Sequence, residues 1–393
     1  MNRFGRLLAI TFLESASTIL YERGIYFFAR ERLGFSDAMN LVLAVLFGLV
    51  YVLGALGSHS LARRFGEKRI LAWAIGAQAL TMAAVAFRPG HAAIYLSALL
   101  IALSNGLKWP VIESYASAGR DSATTARDIG RFNVAWAGAA PIALGICGPL
   151  IAWRSGTPAG DAALFVIAML LSLSALGLTG ALPGRPAHLP QDHPQRPALS
   201  HLLALSGLLA ASRWSMLASY ALLFVLAPLL PGIFENLGFS VATAPALSSL
   251  IDWVRLATFV LLAPWGWWHG RVGPLVACVL LLPASFAMVL WGQSVPVVLL
   301  GEVIFGATSG LTYYAALYYA MLISNASVNA GGAHESLIGL GFLLGPLAAL
   351  GGNAAGSWSG HPVAGIFLGV SPLVLVCTVG ALKPLLATRC RVR

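Results

Sequence analysis

Residues 38–69 read AMNLVLAVLFGLVYVLGALGSHSLARRFGEKR: a long apolar run, then a short loop crowded with basic side chains. A helix needs about 20 mainly apolar residues to cross the hydrocarbon of a bilayer, and the stretch 38–58 supplies that length without one charged residue. The same alternation runs along all 393 residues and predicts twelve spans: 6–32, 38–58, 70–87, 92–117, 131–153, 162–182, 204–231, 242–266, 274–292, 296–323, 333–352 and 362–384. Composition agrees. Hydrophobic residues make up 58% and charged ones 10%, whereas a soluble domain carries about 25% charged residues. The 42 glycines suit the close packing of membrane helices.

The longest polar interruption, 183–201 (PGRPAHLPQDHPQRPALSH), cannot continue a helix and divides the chain into six spans and six. The expected organisation is therefore an N-terminal bundle over 1–182, a cytoplasmic linker over 183–201 and a C-terminal bundle over 202–393. Of 24 Lys and Arg, sixteen fall in loops and ends on the N-terminal side of the membrane, and four (Arg30, Arg32, Arg88, Arg154) on the other. The last four, Arg23, Lys108, Arg213 and Arg255, lie within spans. By the positive-inside rule both termini are cytoplasmic, as in a multi-pass protein of a bacterial-type inner membrane. The net charge of +10 thus reads as orientation in the bilayer; no nucleic-acid partner is expected. The stretch from Leu7 is too long for a cleavable signal and contains Glu14 and Glu22. The cysteines at 147, 278, 377 and 390 form no CxxC pair, and all eight histidines fall in loops or at span ends, so neither disulfide nor metal site is expected. No HExxH, GxSxG or Walker A pattern occurs, which argues against an enzyme or an ATP-driven pump.

The segment Leu61-Ala62-Arg63-Arg64-Phe65-Gly66-Glu67-Lys68-Arg69 resembles the loop signature of the major facilitator superfamily, G-x-L-A-D-R-x-G-R-[RK], which joins spans two and three. It departs at His59, where the family has its first Gly, and at Arg63, which replaces the Asp that normally pairs with neighbouring helix ends. GWWHGRVG at 266–273 is a weaker echo in the second half. Gly106 to Pro110, Gly130 to Asn133 with Trp136 and Gly138, Gly310 to Tyr319, and His334-Glu335 with Gly339, Gly341 and Gly345-Pro346 are similar to the family's spans four, five, ten and eleven. The resemblance implies an all-α membrane protein with twelve transmembrane helices in two six-helix bundles, the major facilitator fold. It also implies alternating access around a midplane site.

An ionisable side chain at the bilayer centre costs at least about 2.5–3.5 kcal/mol, so such residues face the protein interior and mark function. Six acids (Glu14, Glu22, Glu113, Asp252, Glu302, Glu335) and four bases lie within the predicted spans. With more acids than bases, some carboxyls have no basic partner of their own, as proton coupling requires. Glu22 is expected to pair with Lys108, and Arg23 to face the cavity or another acid. With Tyr26 nearby and a glutamate, Glu302, on span ten, this placement is similar to that of proton-coupled oligopeptide transporters. The first glutamate of their E-x-x-E-R motif, however, falls at Ile19. Asp252 and Arg255, three apart, share one helix face, as a self-neutralised pair or as substrate ligands. Glu14 is a candidate second proton site. Arg213 either holds an anionic group or snorkels to the interface. Tyr313 offers a ring and a hydroxyl to an organic solute, and Gln78 and Asn105 are candidate interhelical hydrogen-bonding residues. Glu113 and Glu335, with Arg63 and Arg64, are expected to gate the cytoplasmic end. The function expected is a proton-coupled secondary transporter, acting as a monomer, for a small charged or zwitterionic organic solute. It would draw on the proton gradient and no cofactor. The competing readings are a proton antiporter exporting drugs or metabolites, and a non-transporting sensor or assembly factor on the same scaffold.

Overall fold

The computed structural model describes residues 3–117, 122–186, 205–323 and 328–391. Arg120, Arg196, Arg393 and the linker from residue 187 to 201, with its three histidines, lie outside them. The described chain is helical: α1 (Arg3–Glu22), α2 (Gly24–Leu33), α3 (Asp37–Phe65), α4 (Glu67–Phe87), α5 (His91–Ser117), α6 (Ser122–Ala152) and α7 (Pro158–Thr179) precede the linker. After it come α8 (Ser206–Asn236), α9 (Ala244–Ser248), α10 (Leu250–Leu262), α11 (Val272–Trp291), α12 (Val295–Ile323), α13 (Val328–Trp358) and α14 (Pro362–Arg391). Two crossings are broken: α1 continues as α2 after Arg23, and α9 continues as α10 after Ser249. Counted as single crossings, these make twelve spans.

Eleven helices among the described residues are long and apolar enough to cross a membrane. The remaining crossing is the first, whose α1 carries Arg6, Glu14 and Glu22 within its length. Several helices outrun their apolar stretches. α6 begins at Ser122 and α13 runs from Val328 to Trp358, because a helix satisfies its own backbone past the hydrocarbon edge whereas an apolar window stops at the first charges. The eighth crossing is shorter than expected, ending at Leu262. A one-turn 3₁₀ segment, Gly266–Trp268, follows it and buries Trp268 against Tyr314, Tyr318 and Tyr319. His269 stacks on Tyr318, and the Gly270 N–H donates to the Tyr319 hydroxyl. Three of the four span-ten tyrosines therefore pack a loop, and only Tyr313 reaches the centre.

Burial sorts the helices. In α8 94% of the apolar window is buried, against 17% in α14, so the first is central and the second faces lipid. Glycine sets the close contacts. A Cβ on Gly345 or Gly341 would run into the backbone of α8 at Ala221 or Tyr220, and one on Gly106 into α3 at Tyr51. Helices from the two halves also meet closely. Gly48 and Gly339 lie in the α3–α13 contact, at Phe342–Leu343 and at Tyr51–Val52. On the face opposite the start of α1, Gly148 of α6 abuts Val241–Ala242, and Arg30 bridges Asp37 and Glu235 at 2.7 Å each. Contacts on both sides close the centre of the molecule.

These packings predict opposite responses at two glycines. Gly345→Val should lose about 1–3 kcal/mol through overpacking, read as a lower thermal midpoint in detergent. Gly57→Ala, where an added methyl has nothing within 4 Å, should hold or raise it. A wild-type midpoint in Gly345→Val would contradict the α8–α13 contact.

Candidate functional site

A central cavity of about 90 Å³ lies where the halves meet. Its polar wall comes from Ser15, Thr18, Glu22 and Arg23 on the first crossing, Asp252 and Arg255 on α10, and Glu335 on α13. Its apolar wall is aromatic: Tyr51, Trp109, Phe132, Trp136, Tyr220, Phe224, Tyr313 and Phe342. Tyr313 stands 5.0 Å from Trp136 and 5.8 Å from Phe259, ring centre to ring centre.

One ion bridge joins the halves through this wall. Arg23 Nη1 lies 3.4 Å from Asp252 Oδ2, and Arg255 Nη1 lies 3.6 Å from Asp252 Oδ1. All three side chains are 6% exposed or less. Arg255 also reaches Ser309 Oγ at 3.4 Å and sits 5.9 Å above the Trp136 ring. Both crossings that carry the bridge break beside it. Arg23 interrupts the first, just before Gly24, a residue poor in helix propensity. Ser249 interrupts the eighth and places Asp252 in the first turn of α10, where the helix dipole favours a negative charge. Asp252 bridges two guanidinium groups at once with a single negative charge, and two buried donors are left over: Arg23 Nη2 and Arg255 Nε have no hydrogen-bond partner among the described residues.

Lys108 pairs with Glu14 and not, as expected, with Glu22. Its Nζ lies 2.5 Å from Glu14 Oε2, 2.5 Å from Gln78 Oε1 and 3.0 Å from Thr18 Oγ1. Gln78 in turn donates to Glu14 at 3.2 Å and to Ser172 at 2.9 Å. Depth explains the choice: on the face where α1 begins, Lys108 lies nine residues from the end of α5 and Glu14 eleven from the start of α1, against nineteen for Glu22. Glu22 is left lining the cavity with no ion pair or hydrogen bond to a described residue. For Arg23 the expectation of another acid holds, and Asp252–Arg255 form the pair expected within one helix.

Other candidates fall elsewhere. Tyr26 is buried but not in the cavity wall; its carbonyl accepts from Asn40. Glu302 is fully buried outside the wall, and neither of its oxygens has a hydrogen bond to a described residue. Arg213, half-buried on α8, does not reach the cavity. Arg63 and Arg64 are exposed and form no ion pair among the described residues; Arg64 lies over the Phe65 ring. Their neighbours tie that loop to the end of α7, Lys68 through the Gly180 carbonyl and Glu67 through Arg185. Glu335, expected at a gate, lines the cavity and accepts from the Tyr51 hydroxyl. His334, expected at a span end, is fully buried beside Glu113. The aromatic wall was missed at Tyr51, Tyr220 and Phe342, whose only signal in the sequence was large rings on glycine-rich helices.

No family model and no curated protein sequence matches the chain. Solved structures do. A mutant of the nucleoside transporter NupG superposes with TM-score 0.71 at 16% identity, covering 98% of this chain and 100% of that one. The human organic anion transporter MFSD10 gives 0.64 at 18%, covering 97% and 100%. A bacterial homologue of the human lysosomal transporter Spinster, inward-facing and occupied, gives 0.64 at 14%, covering 98% and 95%. The chain thus has the major facilitator fold, with twelve transmembrane helices in two six-helix bundles. At such identities the likeness carries the fold alone.

Removing one member of the Lys108–Glu14 pair strands a buried charge, which costs about 3–5 kcal/mol. Lys108→Met and Glu14→Gln should each lower the thermal midpoint, and the double variant should recover most of the loss. A double variant as impaired as the sum of the two would contradict the pairing.

Proposed function

We propose that the chain is a proton-coupled secondary active transporter of a small charged or zwitterionic organic solute. The reading places it in an inner membrane with both termini cytoplasmic, residues 1–182 and 202–393 rocking about the cavity. One observation carries it: an aromatic cavity at the junction of the halves, lined by two guanidinium groups with unused donors and two carboxyls, Glu22 and Glu335, outside the Arg23–Asp252–Arg255 bridge. Unused Arg donors suit a carboxylate or phosphate, Glu22 suits an ammonium group or a proton, and the rings suit an organic body. A cavity of about 90 Å³ is smaller than the roughly 300–1,000 Å³ of ordinary ligand pockets, so in this reading it widens to load the solute. The neighbour named for organic anion transport agrees with a solute of this chemical kind.

In this reading a solute anion competes with Asp252 for Arg23 and Arg255, and so couples loading to the bridge between halves. Glu22, bound to no base, exchanges its proton without breaking an ion pair. Solutes that raise the thermal midpoint in a metabolite panel should be accumulated by proteoliposomes under a proton gradient. Glu22→Gln should abolish gradient-driven accumulation and retain solute exchange. Unchanged coupling would remove Glu22 from the mechanism, accumulation only against the reverse gradient would favour export, and a panel with neither stabilisation nor exchange would favour the non-transporting reading.

A further inference from the structure

We infer that Glu113, His334 and Glu335 form a binding site for a transition-metal ion of the zinc class, clasping α5 to α13. One donor atom from each residue can be chosen so that all lie within 4.8 Å of one another. His334 is fully buried, and Glu113 and Glu335 are at most 4% exposed. The independent observation is the imidazole itself. Neither His334 nitrogen has a hydrogen-bond partner among the described residues, and Nε2 stands 3.9 Å from Glu113 Oε1, beyond hydrogen-bond reach. A buried ring with both polar atoms unused lacks what its burial normally demands. An ion supplies a partner for one of the two nitrogens: imidazole and carboxylate are ligands for Zn²⁺ at about 2.0–2.2 Å, which draws the three donor atoms together, and histidine selects this class over Mg²⁺ or Ca²⁺.

The surroundings support such a site. The Tyr51 hydroxyl donates to Glu335, the outer hydrogen bond that orients a ligating carboxylate. The helices are already in contact here, Gly331 of α13 lying against Pro110 of α5. Arg213 on α8 is the cation near enough to act on His334 electrostatically. Because α5 and α13 belong to different halves, an ion held between them restrains their relative motion whether or not a solute is carried. The site shares Glu335 with the cavity wall, and metal content and thermal stability test it without any transport measurement.

The full chain, stripped with chelator and dialysed against Zn²⁺ in detergent, tests it by metal content and thermal midpoint. His188, His193 and His201 of the linker are replaced by Ala beforehand. One zinc per chain and a raised midpoint are expected, both lost in His334→Ala and in the near-isosteric His334→Asn. His334→Cys should retain a site and shift its preference toward Cd²⁺, since thiolate is the softer ligand. Equal zinc content in the parent and in a monodisperse His334→Asn, or none in the folded parent, would overturn the inference.

Discussion

A charge taken out of water into a membrane protein persists only where other groups replace its hydration, and this constraint organises the centre of the molecule. Asp252 serves two arginines, one from each half. Lys108 is enclosed by Glu14, Gln78 and Thr18 within the first half. The two arrangements differ in what they leave over. The lysine cluster uses the ammonium on Glu14, Gln78 and Thr18, leaves the Glu14 Oε1 acceptor without a partner among the described residues, and ties α1 to α4 and α5. The arginine bridge leaves donors unused and faces the cavity.

The backbone breaks follow from the same demand. A continuous helix presents side chains at fixed intervals of about 100°, whereas the interruptions at Arg23 and Ser249 sit beside the bridging residues and free their geometry from that interval. Glycine supplies the complementary rigidity. α13 approaches α3 and α8 so closely that Gly339, Gly341 and Gly345 admit no side chain. The outcome is a stiff seam with an adjustable ionic contact at its centre, a combination suited to rocking about a fixed site.

The twelve spans, the fold and the set of embedded charges were legible in the sequence, because hydropathy and charge report directly on the bilayer. Pairing was legible only in part. Asp252–Arg255 follows from a three-residue interval, but Glu22–Lys108 mistook proximity to mid-depth for equal depth; counting turns from the shared face selects Glu14. His334 was hidden for the opposite reason. It stands near a helix end in the sequence, and packing beside Glu113 of α5 and Tyr313 of α12 buries it. Likewise, Tyr314, Tyr318 and Tyr319 look like Tyr313 in the sequence, and only the turn at Trp268 separates packing from lining. Helix faces are set by neighbours, which a single sequence does not name.

The central claim is that the Arg23–Asp252 bridge holds the halves together around the cavity. Spin labels at Glu31→Cys and Asn236→Cys, both exposed on the face opposite the start of α1, report the separation of α2 and α8 with the natural cysteines replaced. Pulsed distance measurements should show a longer, broader distribution in Asp252→Asn than in the parent. Superimposable distributions, in a variant that remains folded, would contradict the claim.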